Sequence, residues 1–296
     1  MMEKTYPTFD ICNLVTNKLP NDLFNADRFQ GYLLNNPPIK KVHKHSFYHL
    51  VYFTSGIGQH IIDFKNYPIA PGCIYFMRPG QVHKLEFESD VDGYVINFSA
   101  TFFDQLAISS SIIDQFPFFN IFSSGQMLKL REITRPKVVL IFEEILKELE
   151  DNREQAAMMI AANMLKLFLL SSREVSSEIP VFSKTSYNSV LLKQFMDLIE
   201  ENFKDIRLPK DYAALLYITS NHLNFICKDQ INMSSGEVIR NRVLLEAQRL
   251  LVNFEISVAA IAIELNFFDT SYFIKFFKKY TQLTPEAFRK KYYNKL

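Results

Sequence analysis

Five of the six histidines fall between residues 43 and 83. His43 and His45 are separated by one residue, His49 follows four positions on, and His83 comes just after Pro79-Gly80. A neutral imidazole nitrogen ligates zinc, iron, nickel or copper, so His43, His45, His49 and His83 are candidate ligands if the fold gathers them. The bland reading is the preferred one: the histidines line a pocket mouth or satisfy backbone groups, and no metal or cofactor is expected. A second set of residues suits recognition. Residues 275–296 hold seven Lys and Arg against one acidic side chain, with Phe and Tyr between them. Such a patch is either a solvated terminal helix or a surface for a polyanion. No Ser/His/Asp arrangement, phosphate loop or dinucleotide loop is present, and no residue is assigned a catalytic role.

These residues need elements to hold them. The 296 residues allow two domains, and 48% hydrophobic with 22% charged residues argues against extended disorder. Residues 42–99 read as short strands broken by turn signals, a small barrel or sandwich. Its strands supply Tyr48, Tyr52, Phe53, Phe64, Tyr75, Phe76 and Phe87, an aromatic interior that could hold a small effector. From Pro136 the apolar residues recur at helical spacing, predicting helices over 136–151 and 153–172 that either dimerise or cap the barrel. The polar stretch before Tyr187 reads as a linker, and everything after it is helical in pattern. The expected division is therefore 1–130, a hairpin over 131–175, a linker over 176–187, and 188–296. The apolar stretch Ala156–Leu170 is short and carries Asn163 and Lys166, so no membrane span is expected. No leader segment is seen, and three scattered cysteines fit a reducing cytoplasm.

The most informative feature is a repeat at an offset of 50. Residues Thr219 to Lys228, continuing to Ser234 and Glu237, are echoed by Asp269 to Lys278, continuing to Thr284 and Pro285. Thr219, Ser234, Asp269 and Thr284 are N-cap types, Ser234 with Glu237 makes a capping box, and Pro285 suits a first helical turn. Each copy is preceded by an alanine-bearing helix, with Ala213 and Ala214 in one and Ala259, Ala260 and Ala262 in the other. Small residues permit close crossing, so the pattern predicts two helix-turn-helix units. Asn266 is placed at a left-handed turn position. Ser235–Asn253 predicts one connecting helix of roughly 28 Å, close to the pitch that separates successive major grooves of DNA, about 34 Å.

The carboxyl-terminal third resembles the AraC/XylS-type transcription regulators. The resemblance rests on Arg242, the Ala247 to Leu251 run, Ile261-Ala262, Phe267, Asp269, Ser271-Tyr272-Phe273, Phe277 to Tyr280, Thr284-Pro285 and Phe288-Arg289. Asn232, Asn266 and Gln282 stand where the family pattern usually has Gly, and Cys227 where it often has Phe; strain is expected at Gln282. More weakly, His43-x-His45, Gly56-x-Gly58, Pro71-Gly72 and Pro79-Gly80-x-x-His83 are similar to the cupin-like sensor domain of the family. The resemblance implies an α+β two-domain chain: an amino-terminal cupin-like β-barrel with a helical hairpin, and a carboxyl-terminal all-α double helix-turn-helix. It implies a sequence-specific regulator, expected to activate transcription, whose partners are double-stranded DNA, RNA polymerase, a small-molecule effector and a second copy of the chain. The rival is a metal-dependent cupin enzyme fused to a DNA-binding module. Such enzymes tend to place a Glu shortly after the His pair, where this chain has Phe47-Tyr48-His49-Leu50.

With Leu223 and Ile226 as the buried stripe, Asn221, Asn224 and Phe225 face the groove, and family alignment makes them base-reading positions. Asn pairs with adenine and Phe meets a thymine methyl. In the second unit Phe273 and Phe277 face inward while Thr270, Ser271 and Lys275 face out. Lys228, Lys278, Lys279 and Arg289 are the phosphate candidates. Arg242 is expected to pair with an acid such as Asp269. His43, His45, Tyr52, Tyr75 and His83 are the expected effector pocket.

Overall fold

The period of two in residues 43–98 produces strands whose faces differ sharply in burial. The computed structural model describes residues 7–15, 19, 22–119, 125–175 and 187–293. The linker expected over 176–187 lies, but for Tyr187, outside them. Two compact units result, Tyr6–Ile179 and Pro180–Leu296.

The first unit contains β1 (Thr8–Phe9), β2 (Phe24–Arg28), α1 (Phe29–Asn35), β3 (His43–His45), β4 (Tyr48–Ser55), β5 (Gly58–Ile62), β6 (Lys65–Ile69), β7 (Cys73–Met77), β8 (Val82–Phe87), β9 (Asp92–Phe98), α2 (Thr101–Asp104), β10 (Met127–Lys129), α3 (Arg135–Asp151) and α4 (Ala156–Ser172). One sheet runs β1-β3-β8-β5-β6 and the other β10-β7-β4-β9-β2. The β1–β3 pair is parallel and the others are antiparallel. Of the expected barrel or sandwich, the structure has two facing sheets and not a closed ring. Among the described residues no ladder joins the two sheets, and closure requires continuous pairing around the ring. The sheets instead face each other across a core that includes Val51, Phe53, Ile62, Tyr75, Met77, Leu85 and Val95.

The outer face of the second sheet carries a larger core. Tyr48, Leu50 and Tyr52 of β4, Ile74 and Phe76 of β7, and Tyr94, Ile96 and Phe98 of β9 pack under Ile141, Phe142, Ile145, Ile160, Met164, Leu167 and Phe168 of the α3–α4 hairpin. The apolar faces of the two predicted helices are thus largely spent on capping the sheet. Each fully buried large apolar side chain contributes roughly 1.5–3 kcal/mol. Glu174 fastens the far end of the hairpin, accepting hydrogen bonds from Arg131 Nε at 2.9 Å and Thr134 Oγ1 at 2.7 Å. The Arg131 guanidinium and the Thr134 hydroxyl hold its carboxyl down at about 2.

The second unit is helical: α5 (Tyr187–Asn202), α6 (Pro209–Leu215), α7 (Ser220–Ile231), α8 (Ser235–Leu251), α9 (Val258–Glu264), α10 (Thr270–Thr281) and α11 (Pro285–Tyr293). Starts are written by caps. Thr219 Oγ1 accepts from His222 N at 3.1 Å, Asp269 Oδ1 from Tyr272 N at 2.6 Å, and Ser257 Oγ from Ala260 N at 3.0 Å. Ser234 and Glu237 form the expected reciprocal capping box. Stops are left-handed residues: Asn232 at φ 54°, Asn266 at 53° and Gln282 at 62°. Tyr217 takes the same conformation, at φ 57°, which no feature of its side chain announces. Of the alanines expected at helix crossings, Ala213 and Ala262 are buried, whereas Ala214, Ala259 and Ala260 are exposed.

Candidate functional site

Register brings the histidines together. His43 and His45 share the inner face of β3, and His43 stands directly opposite His83 in the β3–β8 ladder. Pro79-Gly80 makes the turn that allows this, with Gly80 at φ 81° donating its N–H to the His45 carbonyl at 2.8 Å. His60 of β5 joins from the next strand, its Nε2 2.9 Å from His83 Nδ1. His49 reaches in from the facing sheet and stacks on His45 at 4.6 Å between centroids. His43 Nε2 and His83 Nε2 lie 3.1 Å and 2.9 Å from His45 Nε2.

All five rings are buried. The expected pocket mouth is therefore corrected: inward parity places these side chains between two sheets, and of the other alternative, that they satisfy backbone groups, His43 is an instance, its Nδ1 lying 2.7 Å from the Lys41 carbonyl oxygen. Burial pushes the His43 and His49 rings down to about 4. It holds His45, His60 and His83 well below the usual imidazole range, with repulsion among neighbouring imidazoles adding to the effect. The cluster is neutral at pH 7.

Tyr75 belongs with this cluster, its ring 4.7 Å from that of His60. Tyr52 does not. Its parity along β4 is opposite to that of His49 and Phe53, so it stacks on Phe142 of the hairpin at 5.8 Å. Of the other expected interior aromatics, Tyr48 and Phe76 also face the hairpin, and Phe64 sits in the β5–β6 turn at φ 70°. His60, Asn97 and Asn25 were not among the candidates. His49 Nδ1 lies 2.5 Å from Asn97 Oδ1, and Asn97 Nδ2 donates to Asn25 Oδ1 at 2.7 Å. The signal for His60 was its even spacing from Ile62 in an alternating run.

In the helical unit, Leu223 and Ile226 of α7 and Phe273 and Phe277 of α10 are fully buried. Opposite them, Asn221, Phe225 and Lys228, and Ser271, Lys275, Lys278 and Lys279, are exposed; Thr270 is half-buried. Phe225 is 57% exposed, which a core residue would not be. Asn224 is half-buried, and its Oδ1 accepts from Ser235 N at 3.3 Å, so its carbonyl oxygen is already engaged.

For one arginine the expectation is corrected, and for another the pairing with acids is found but with partners other than Asp269. Arg289 is buried, donating to the carbonyl oxygens of Leu251 at 3.1 Å and of Ile256, so it closes the end of α8 rather than facing a phosphate. Helix-end carbonyls lack intrahelical donors and attract such a cation. Arg242 pairs with Glu200 and Glu246, both at 2.8 Å, and lies over the Phe203 ring; Asp269 is occupied as an N-cap. A further set ties the helix-turn-helix units together. Arg207 donates to the Leu265 carbonyl, Asn266 Nδ2 to Asp205 Oδ1 at 3.2 Å, and Lys204 pairs with Glu264 at 3.1 Å.

Comparison with known proteins fits this geometry. A helix-turn-helix domain model matches residues 212–291, and the AraC-like ligand binding domain model matches residues 38–168. The chain belongs to the AraC-type regulators. As a member of that family it is a transcription regulator with a ligand-binding amino-terminal domain and a DNA-binding helix-turn-helix domain. It is 24% identical over 259 residues to the HTH-type transcriptional activator RhaR of Mannheimia succiniciproducens, covering 88% of this chain and 90% of that protein. It is 22% identical to the uncharacterized HTH-type transcriptional regulator YfiF of Bacillus subtilis, covering 85% and 79%. Among solved structures, that of ToxT from Vibrio cholerae aligns over 90% of this chain and 96% of its own, at 14% identity and a TM-score of 0.44. No helix among the described residues is long and apolar enough to cross a membrane.

Proposed function

We propose that this AraC-type regulator activates transcription by setting α7 and α10 into successive major grooves of one duplex, under control of a ligand taken up by the amino-terminal unit. The observation that carries the reading is the pairing of two capped helices, each with a buried apolar stripe and an exposed polar or aromatic face, across α8. At 17 residues, α8 runs about 26 Å, and the Arg207 cluster holds the two units in register. Asn221 and Phe225 in α7 and Ser271 and Lys275 in α10 contact base edges, with a subsidiary single contact from Asn224 Nδ2 and one from Thr270; Lys228, Lys278 and Lys279 neutralise phosphates. The reading assigns no catalytic step, in keeping with relatives named as regulators.

An activator of this kind contacts RNA polymerase in the cytoplasm, the partner that the family resemblance implies. A second copy of the chain is proposed to pack on the exposed Leu140, Met158, Met159 and Leu169 of the hairpin, apolar surface left over after the sheet is capped. Light scattering reads that stoichiometry, and a strictly monomeric protein at micromolar concentration removes it.

The deciding experiment is selection of binding sites from random duplexes, followed by mobility shift. Phe225→Ala is expected to relax preference at one position of the selected site. Lys279→Ala is expected to weaken binding to all sequences alike and to lower the salt dependence by about one counterion. Binding without sequence preference, or preference unaltered in Phe225→Ala and Lys275→Ala together, overturns the groove assignment.

A further inference from the structure

We infer that the buried imidazoles of His43, His45 and His83 form a binding site for one divalent transition-metal ion of the zinc class. The ligand nitrogens of these three residues lie within 4.8 Å of one another. Two of the separations, 3.1 Å and 2.9 Å between Nε2 atoms, are known directly. Three nitrogens each about 2.0–2.1 Å from one ion stand about 2.9 Å apart at right angles and about 3.4 Å apart at tetrahedral angles. Two of the three ring pairs are already spaced for a common ligand.

The hydrogen bonds around the cluster aim the right atoms. His43 Nδ1 lies 2.7 Å from the Lys41 carbonyl oxygen, which only accepts, so Nδ1 carries the proton and Nε2 presents a lone pair. His83 Nδ1 faces His60 Nε2 at 2.9 Å, and in the tautomer where His83 Nδ1 donates across this contact His83 Nε2 is bare in the same way. Such outer contacts orient the imidazoles of metal sites. In that tautomer, without an ion, the bare Nε2 atoms of His43 and His83 compete for the one proton that His45 Nε2 can offer. His45 Nδ1 and His60 Nδ1, both buried, have no hydrogen-bond partner among the described residues. A cation at the shared point satisfies all three lone pairs at once.

The donor set selects the ion. Three imidazoles suit zinc, nickel, copper or iron over calcium or magnesium, which take oxygen ligands. Three-histidine zinc sites leave a position open for water or an anion, and His49 lies beside the set, its ring 5.4 Å from that of His83. The cover is thin on one side: Phe9, in the two-residue edge strand β1, sits edge-on to His43 at 5.2 Å.

The test uses full-length protein without a histidine tag, stripped with a chelator and returned to metal-free buffer. Titration with zinc against a chromogenic chelator is expected to register one equivalent, bound at micromolar Kd or tighter. Cobalt in its place is expected to give the visible absorption of a nitrogen-ligated ion. His43→Gln and His83→Gln are each expected to weaken zinc at least 100-fold. His60→Ala, which removes only the outer contact, weakens it roughly 10–100-fold. His222→Gln, in the other unit, leaves it unchanged. Zinc is expected to raise Tm in wild-type protein and not in His83→Gln. Stripped wild-type protein that is folded by circular dichroism yet takes up no stoichiometric zinc or cobalt overturns the proposal, whatever the variants do. So does an equivalent that survives in folded His43→Gln/His83→Gln double variant.

Discussion

The two units treat their polar chemistry in opposite ways. The amino-terminal unit hides it: five imidazoles, Asn25 and Asn97 lie between two sheets with almost no exposure. The carboxyl-terminal unit displays it: Phe225, Lys228, Ser271 and Lys275 stand on the surface, above stripes of fully buried Leu, Ile and Phe. A buried polar group must find partners or a ligand, since leaving it unmet costs about 1–3 kcal/mol. A displayed group is solvated at little cost and waits for its partner outside. The first arrangement couples chemistry to stability, and the second separates them.

That contrast can be broken most forcefully with acid. In chelator-stripped protein the His43 and His49 rings are held at about 4, against 6.5 when unfolded. Lowered values mean that the unfolded chain binds the protons first. Stability is complete above about pH 6.5 and drains as pH falls toward 4, by up to about 3 kcal/mol for each ring. Urea unfolding monitored at pH 7 and pH 4.5 checks this, and a midpoint unchanged between them would remove the contrast. Next in size, Arg289→Ala strands the Leu251 and Ile256 carbonyls and should cost about 3 kcal/mol of helical-unit stability by denaturation. A change under 0.5 kcal/mol would return Arg289 to the displayed group. Phe225→Ala should do the reverse, weakening specific DNA binding roughly 10–100-fold in a mobility shift while moving Tm by no more than a degree or two. The smallest effect is a gain. Gln282 caps α10 at φ 62°, and Gln282→Gly should add about 0.5–1 kcal/mol, with DNA affinity unaltered.

The helical unit was the more legible in sequence, because its signals are local. Thr219, Ser234, Asp269 and Thr284 each act on a backbone N–H three residues away, so a cap can be read without knowing the fold. The alternation of β4 was legible too: Tyr52 has the wrong parity to join His49, and counting by twos would have separated them. What could not be read was pairing at a distance. His43 meets His83 only because β3 pairs with β8, and nothing near either residue states that register. Arg289 was misread for a related reason. Its partners are main-chain carbonyls, and any residue supplies one. Arg242 was read as an ion-pairing side chain, but Glu200 had no mark to distinguish it from Asp269.

One asymmetry in the repeat has a consequence for the target. The α6–α7 connection runs through Tyr217 and Ile218, whereas α9–α10 holds one residue more, and Phe268 in it is 98% exposed. The faces also differ, Asn and Phe on one helix, Ser and Lys on the other. Identical readers related by a two-fold axis impose a palindrome on the operator they bind. A single chain bearing two unlike readers imposes none: with both in use its operator has a left and a right, and turning that sequence end for end should leave the affinity unchanged while pointing the bound molecule the other way along the promoter.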